Sequence, residues 1–188
     1  MHVLRLVRVL IPLAIVALVV AAASSVLSAR PDLQKAKRTV DADWSPLAAR
    51  LDTRYVRLES ANAALQQIPG PVSSVFADVE AGLGRWRDAR AHGSIAAQVA
   101  AANDVEGLAR QLVATANASP RLAGDHAVLT AFAPFLTDPT RQSTDAIAFN
   151  RAVTSYEHGR RGPVRSILAA LMSDDAIPLL DTTQSTTA

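Results

Sequence analysis

The chain has 188 residues and a formal charge of only +2, from 19 basic and 17 acidic residues. The excess lies in Arg5 and Arg8, because no acidic residue precedes Asp32, so the chain from Arg30 onward is neutral. Nucleic acid is therefore not an expected partner, since its binding needs a strong basic patch. The chain contains no cysteine, which excludes a lipoprotein anchor.

Hydrophobic residues make up 49% of the chain, but much of this is alanine, and aromatic residues are only 4%. Alanine is the best helix former and fills close contacts between helices. This composition, with few β-branched runs, predicts an all-α fold. The chain is also long enough to bury one hydrophobic core without help from metals or disulfides.

An uncharged run, 9–29, is the most distinctive stretch of the sequence, and Arg8 and Arg30 flank it. At about 1.5 Å per residue, a helix over this run spans roughly 30 Å, the thickness of the hydrocarbon core of a bilayer. The sequence therefore predicts a short basic tail, 1–8, followed by a transmembrane anchor, 9–29, that contacts membrane lipid.

The same run has a second interpretation, a cleaved signal peptide, because Ala21-Ala22-Ala23 fits an A-x-A cleavage pattern. The run is long for a signal peptide and has no helix breaker near its end, which favours a retained anchor. The short tail, 1–8, carries two arginines and favours the cytoplasmic side. We therefore expect a single-pass protein of the cell membrane whose remaining chain is extracytoplasmic.

Apolar residues recur every three or four positions from Asp32 to Ile68, which predicts one long helix. Pro46 interrupts the pattern, so the helix either kinks there or restarts with Ser45 as its N-cap. The run 68–71 contains two prolines and a glycine and predicts a turn. The predicted inward positions are Val40, Trp44, Leu47, Leu51, Tyr55, Leu58, Leu65 and Ile68, and Asn62 falls on the same face.

Two further helices follow. The second has an apolar stripe from Val72 to Trp86 and ends at His92-Gly93. Ser94 is placed to cap the third helix, whose inward positions run from Ile95 to Leu112. That helix is expected to close before Pro120.

The fourth arm starts near Pro120 and contains two breaks, at Pro134 and Pro139, where Asp138 is placed to cap a restart. Its stripe ends at Gly159. The predicted inward positions are Leu122, Leu129, Phe132, Leu136, Ile147, Phe149, Val153 and Tyr156, with His126 on the same stripe.

Four apolar-striped arms joined by short loops predict an antiparallel up-and-down four-helix bundle. The bundle domain covers 30–172, with a short amphipathic piece, 164–172, as its last element. The polar end of the chain predicts a flexible C-terminal tail, 173–188.

The segment Phe149-Asn150-Arg151-Ala152-Val153-Thr154-Ser155-Tyr156-Glu157 resembles the aromatic-Asn-x-Ala-Val-x-x-Tyr signature of the LemA family of bacterial membrane-anchored helical proteins. The run from Asn103 to Leu112, followed by Pro120-Arg121-Leu122, is similar to that family's Leu-rich helix and Pro-x-Leu. Arg54 to Ala61 keeps only the arginine and apolar spacing of the family's first long helix, so the chain resembles a divergent member. The resemblance implies an N-terminal anchor, a four-helix bundle and no established enzymatic activity.

The four histidines, His2, His92, His126 and His158, have no partner at metal-ligand spacing. His126 is the most suggestive, and a packed core histidine is favoured over a ligand. There is no G-x-S-x-G nucleophile elbow and no glycine-rich nucleotide loop. The sequence therefore predicts no catalytic, cofactor-binding or metal-binding residues, and no cofactor.

Asn150 lies on an inward face and is interpreted as a buried polar residue that fixes the register of the helices, and Asn62 lies on the inward face of the first helix. Asn150 is expected to hydrogen-bond to Asn62 or to the backbone of the first helix. With His126, they are the candidates for polar groups that converge on a ligand between helices.

The sequence thus favours a membrane-anchored interaction or scaffold module of the bacterial cell envelope, with a protein partner and no enzymatic activity. The alternative is an exported helical bundle with a cleaved signal peptide, which binds a small ligand between its helices.

Overall fold

The structure, a computed structural model, describes the backbone of residues 2–67, 73–119, 122, 125–161 and 175–182, and their side chains from Pro31 onward except that of Ser73. Regular structure in these ranges is entirely helical, which confirms the predicted all-α fold class. The elements are α1 (His2–Gln66), α2 (Ser73–His92), α3 (Ile95–Ala118), α4 (His126–Leu136), a 3-10 turn (Thr140–Gln142) and α5 (Thr144–Arg160).

Some predicted features fall outside this description. They are the side chains of the basic tail, 1–8, and of the anchor, 9–29, together with the turn at 68–71 and the amphipathic piece, 164–172. Among the residues that are described, no helix is long and apolar enough to cross a membrane.

Helix α1 is continuous through Pro46, so the predicted restart at Ser45 is wrong. A proline inside a helix lacks the N–H that would bond to the carbonyl four residues earlier. That carbonyl belongs to Ala42, and both Ala42 and Pro46 are exposed, so water can replace the missing donor. The helix therefore continues without a buried, unsatisfied carbonyl.

The inward face predicted for α1 is confirmed at every position that the structure describes. Trp44 lies in an aromatic cluster, with its ring centroid 4.9 Å from that of Phe149 and 6.4 Å from that of Trp86. Tyr55 extends the cluster, because its ring stands edge-on to Trp86 at 5.1 Å. Aromatic pairs of this kind add about 0.5–1.5 kcal/mol beyond the area they bury. Four of the eight aromatic residues thus meet where α1, α2 and α5 come together.

The helices form a bundle arranged around α1, which packs against α2, α4 and α5, while α2 packs along α3. Only Gly93 and Ser94 join α2 to α3, and so short a connection makes the two helices antiparallel. The Ser94 hydroxyl accepts a hydrogen bond from the N–H of Ala97 at 3.3 Å, which confirms the predicted cap. In the described chain α3 and α5 do not pack directly on each other, so a groove separates them.

The last arm departs most from its predicted stripe. Leu129, Leu136 and Ile147 were expected to face inward, and all three are exposed. Phe132 is buried, as predicted, and Phe135, which was not predicted to face inward, is buried beside it on α4. Because a 3-10 turn separates α4 from α5, one continuous stripe cannot serve both helices, and each takes its own rotation.

The chain between α4 and α5 is held by local caps. Asp138 does not cap α5; its Oδ1 accepts from the N–H of Thr140 at 2.8 Å, at the start of the 3-10 turn. Helix α5 is capped by Ser143, whose hydroxyl accepts from the N–H of Ala146 at 3.3 Å. After Pro139 the chain therefore first forms the 3-10 turn and then starts α5, where the sequence predicted a single restart.

Residues 175–182, within the range predicted as a flexible tail, 173–188, form an extended stretch that we call the C-terminal segment. It lies between α3 and α5 and hydrogen-bonds to Asn103 and Asn150. Two of its side chains, those of Ile177 and Leu180, are buried. The bundle is therefore closed on its open side by an extended segment, and the packed part of the chain passes beyond 172.

The core assignment of α5 can be tested with Phe149→Ala. Phe149 is fully buried, so its truncation is expected to lower the free energy of unfolding by about 3–5 kcal/mol. Ile147→Ala is the matched control on the same helix, where the side chain is 52% exposed, and we expect a change below about 0.5 kcal/mol. Chemical denaturation followed by circular dichroism measures both. Equal stability of the two variants would contradict the core assignment.

Candidate functional site

Two buried arginines and a buried glutamate form an ion triad inside the bundle. Glu106 accepts two hydrogen bonds from Arg54, at 2.7 Å from Nε and 3.2 Å from Nη2. Arg141 Nη1 donates to the same carboxylate at 3.1 Å. The exposed fractions are 0% for Glu106, 5% for Arg54 and 4% for Arg141, so the triad is shielded from water. One carboxylate therefore ties α1, α3 and the 3-10 turn together.

The remaining donor capacity of Arg54 goes to the end of α4. Its Nη1 donates to the carbonyl of Phe135 at 2.8 Å and to that of Asp138 at 3.3 Å. The guanidinium carbon also lies 4.0 Å from the centroid of the Phe135 ring. A buried charge is tolerated only when it is paired and hydrogen-bonded. These contacts explain why Phe135, and not Leu136, turns inward.

Two further carboxylates offset the extra positive charge of the triad. Asp138 Oδ1 lies 3.9 Å from Arg54 Nη1. Asp181 lies 3.4 Å from Arg141 Nη2 and 2.8 Å from Arg110 Nη1. Because Asp181 belongs to the C-terminal segment, the charge network runs from the bundle interior to the groove between α3 and α5.

Tyr55 lies beside the triad, and its hydroxyl donates to the carbonyl of Ala102 at 3.1 Å. Burial raises the pKa of Tyr55 well above its ordinary value of 10.0, and the negative charge of Glu106 raises it further. The phenol therefore stays protonated and acts as a neutral hydrogen-bond donor within the core.

Two asparagines hold the C-terminal segment by its backbone. Asn150 Nδ2 donates to the carbonyl of Leu180 at 2.9 Å, and its Oδ1 accepts from the N–H of the same residue at 2.8 Å. Asn103 Nδ2 donates to the carbonyl of Leu179 at 2.9 Å, and its Oδ1 accepts from the N–H of Asp181 at 2.8 Å. Both amides thus use their donor and acceptor sides on consecutive residues of one extended stretch.

The start of the C-terminal segment is held by the last turns of α5. Glu157 Oε1 accepts from the N–H of Ile177 at 2.9 Å. Arg160 Nη1 donates to the carbonyl of Asp175 at 2.9 Å. We call the surface that holds the segment the α3/α5 groove. It is lined by Asn103, Arg110, Arg141, Asn150 and Glu157.

A second polar cluster joins α1, α2 and α3. Asp52 accepts from Trp86 Nε1 at 2.9 Å and from Arg90 Nη2 at 3.1 Å. Gln98 Oε1 accepts from Trp44 Nε1 at 2.7 Å and from Arg90 Nη1 at 3.1 Å. These groups bond to one another across three helices, so a structural role accounts for them.

The polar residues singled out in the sequence are not brought together. His126 is exposed at the first turn of α4, where its Nδ1 lies 3.3 Å from Thr130 Oγ1, so its predicted core position is wrong. Asn62 is buried, and its Nδ2 donates to the carbonyl of Phe76 at 3.2 Å. Asn150 binds the C-terminal segment, so its predicted bond to Asn62 or to the backbone of the first helix is wrong. The rotation of α5 that buries Phe149 turns Asn150 toward the groove, away from α1.

Sequence reasoning missed the ion triad, although a signal for it was present. Arg54 stands three residues after Leu51 and four before Leu58, which is inward spacing on α1. Glu106 follows Ala102 by four residues on the buried face of α3. A charge of each sign on the inward stripes of two helices is a pattern that favours a buried ion pair.

No group of three or more histidine, aspartate or glutamate side chains in the described ranges could hold a metal ion. The chain matches no family model, no curated protein and no solved structure. The resemblance to the LemA family therefore stays a prediction that rests on its quoted residues.

Glu106→Gln tests the ion triad, because it removes the charge that pairs with Arg54 and Arg141 and keeps the shape. Breaking a buried ion pair is expected to lower the free energy of unfolding by about 3–5 kcal/mol. Glu59→Gln is the matched control, since it breaks an exposed pair with Arg87 and should cost less than about 1 kcal/mol. Urea denaturation compares them. A Glu106→Gln curve that overlaps the wild-type curve would show that the triad contributes nothing.

Tyr55 gives a prediction for alkaline pH. Its pKa is higher in the folded than in the unfolded chain, so its contribution is complete below about pH 10 and is lost as pH rises above that value. The unfolded chain ionises first, which pulls the equilibrium toward unfolding. Urea denaturation from about pH 8 to pH 11 should therefore show a steeper loss of stability in wild type than in Tyr55→Phe. Parallel pH profiles for the two proteins would refute the assignment.

Proposed function

We propose that this protein is a non-enzymatic interaction module of the bacterial cell envelope, LemA-like and tethered to the membrane by residues 9–29. Its helical bundle lies on the extracytoplasmic side and binds a protein partner. The observation that carries the proposal is the α3/α5 groove, where side chains of the bundle bind an extended stretch of polypeptide through its backbone.

The contacts in the groove are those by which proteins bind peptides. Main-chain hydrogen bonds supply affinity that does not depend on sequence, and buried side chains supply specificity. Asn103 and Asn150 provide the first kind of contact, and the pockets that hold Ile177 and Leu180 provide the second. A surface that already holds one extended segment is suited to a protein partner.

The interior polar groups support a structural role over a catalytic one. A general acid or base needs an open position beside a substrate and a pKa near the working pH. Glu106 is surrounded by Arg54 and Arg141 and has no exposed surface. Tyr55 is buried, and its pKa moves away from neutrality.

The alternative, a small ligand between helices, has less support. An apolar cleft lies between α3 and α4, lined by residues that include Val113, Phe132 and Leu136. Its cavity volume is about 70 Å³, and a second cleft, between α1 and α2 beside Tyr55 and Trp86, has a volume of about 180 Å³. Both volumes are below the roughly 300–1,000 Å³ of ordinary ligand pockets. The α3/α5 groove, in contrast, has both polar and apolar contacts that fit a known class of ligand.

The membrane tether is inferred from the length and lack of charge of 9–29. Because α1 is one helix from His2 to Gln66, the same element would carry both the anchor and the central helix of the bundle. A fixed connection of this kind suits a module that presents a binding surface near a bilayer.

The proposal is tested by photo-crosslinking in native membranes. The full chain is made with a photoreactive residue at one exposed position at a time, on α1 (Val56), on α4 (Leu129) or in the C-terminal segment (Leu179). We expect the chain to sediment with membranes and to form an adduct of one defined mass from at least one position. Deletion of 9–29 should release it from the membrane fraction. Soluble wild-type chain, or no adduct from any position, would reject the proposal.

A further inference from the structure

We propose that the α3/α5 groove docks an extended segment of a partner protein, and that the C-terminal segment occupies it as an intramolecular stand-in. The partner segment has two apolar residues three positions apart, followed directly by an acidic residue, as in Ile177, Leu180 and Asp181. The inference rests on the proposed function and deepens it, because it names the site and the chemistry of the partner.

The groove binds groups that every polypeptide carries. Asn103 and Asn150 bond only to backbone N–H and carbonyl groups of residues 179–181. In each asparagine side chain only the oxygen accepts and only the nitrogen donates, so its two hydrogen bonds to the segment fix which way the amide group faces. A partner in the same extended conformation can therefore replace the C-terminal segment bond for bond.

The polar residues along α5 are spaced to match an extended chain. Asn150 and Glu157 are two helical turns apart, which places them about 10.5 Å from each other along one face. They bind Leu180 and Ile177, which are three residues apart and span about 10 Å in an extended strand. The segment thus runs antiparallel to α5, with its backbone in register with the helix.

Side-chain burial defines which positions of a partner the groove selects. Ile177 is 7% exposed and Leu180 is 2% exposed, so both fill apolar pockets. Leu179 is 53% exposed, and Pro178 is also exposed and has no N–H to bond. The two middle positions are therefore open to other residues, whereas the outer two require apolar side chains.

The charge of the groove selects the acidic residue. Asp181 lies between Arg110, at 2.8 Å, and Arg141, at 3.4 Å. Arg141 is itself nearly buried and shares Glu106 with Arg54, so this end of the groove has more positive than negative charge. An aspartate or glutamate in a partner would complete the same balance, and this complementarity identifies an acidic segment as the occupant.

The C-terminal segment is an occupant that can leave without dismantling the bundle. Helices α3 and α5 do not pack on each other, so the groove is a space between two elements that α1 and α2 already position. Of the buried hydrophobic side chains, only those of Ile177 and Leu180 come from the segment. Both side chains join the hydrophobic core that includes Trp44 and Phe149, and the helices supply most of the other members of that core.

The decisive experiment uses the full chain in detergent micelles with a specific protease site inserted between Arg161 and Asp175. Cleavage leaves the segment bound without a covalent link. A fluorescent peptide of the sequence Asp-Ala-Ile-Pro-Leu-Leu-Asp-Thr is then added, and its anisotropy is measured. We expect the cleaved chain to bind it, and the uncleaved chain to bind at least about tenfold more weakly, because a tethered competitor acts at high effective concentration.

Three variant peptides test which positions the groove selects. The substitution corresponding to Leu180→Asp puts a charge into a buried pocket and should weaken binding by roughly tenfold or more. Leu179→Asp is the matched control at the exposed neighbour and should change the Kd by less than about threefold. Asp181→Arg, which places a third cation beside Arg110 and Arg141, should weaken binding as Leu180→Asp does.

Two variants of the protein test the groove itself. Asn150→Leu removes both bonds to Leu180 and should abolish peptide binding by the cleaved chain, while circular dichroism stays that of the wild type. Asn117→Leu, an exposed asparagine of α3, is the control and should bind normally. Should Asn150→Leu fail to fold, Asn103→Leu provides the same comparison on α3, the helix on the opposite side of the groove.

Three results would overturn the inference. One is a cleaved, folded chain that does not bind the peptide. Another is unfolding of the bundle when the segment leaves, which would show that the segment is an essential part of the fold and cannot be replaced by a partner. The third is a concentration-dependent dimer of the uncleaved chain that the peptide dissociates, which would make the occupant a second copy. Crosslinks from Val56 or Leu129 would in each of these cases leave the proposed function standing. Peptide binding without any crosslink would show that the groove binds its own segment and that the chain has no partner, which would remove the proposed function and the partner inferred from it.

Discussion

Glu106 has no contact with water, and the burial of its carboxylate is the constraint on which the rest of the bundle depends. A carboxylate in that position requires cations with matching geometry, which Arg54 supplies from α1 and Arg141 from the 3-10 turn. Apolar stripes alone would let neighbouring helices rotate or slide at modest cost. A two-sided ion triad fixes the register of α1 against α3 and sets where α4 ends, since Arg54 also holds the carbonyl of Phe135. The triad therefore favours the arrangement of α1, α3 and the 3-10 turn in which all three charged groups are paired.

The same triad explains why the bundle has a groove. Arg141 enters the interior from the turn between α4 and α5, and it reaches both Glu106 and Asp181. Packing α3 directly on α5 would leave no room for a chain between them, and the surplus positive charge would lose the carboxylate that comes with that chain. An extended segment with an acidic residue fills the space between α3 and α5 and supplies the carboxylate that pairs with Arg141. The position of Arg141 thus accounts both for the shape of the bundle and for the kind of segment that the groove binds.

Local pattern predicted the parts of this fold that depend on one helix at a time. The stripe of α1, the Ser94 cap and the end of α2 at His92 follow from periodicity and capping chemistry, and the structure confirms them. Of the two alternatives at Pro46, the restart at Ser45 is wrong, because the sequence does not show whether the carbonyl that Pro46 leaves without a donor is exposed. Leu129 and Leu136 were misplaced because the rotation of α4 is set by Arg54, which is distant in sequence. Ile147 was misplaced because α5 starts again after the 3-10 turn with a rotation of its own. The groove could not be predicted, since it exists only where Asn103, Asn150 and Leu180 meet across long separations.

Helix α5 shows how one stretch of sequence serves a core and a binding surface. Successive residues of a helix point about 100° apart, so Asn150 faces the groove when Phe149 faces the core. Phe149, Val153 and Tyr156 follow helical spacing and are buried together. Asn150 and Glu157 follow a spacing of seven, which places them on a second line along the groove. A rotation of α5 would therefore lose the core and the backbone clamp at once, so the packing of Phe149 against Trp44 is what keeps Asn150 aimed at an extended chain.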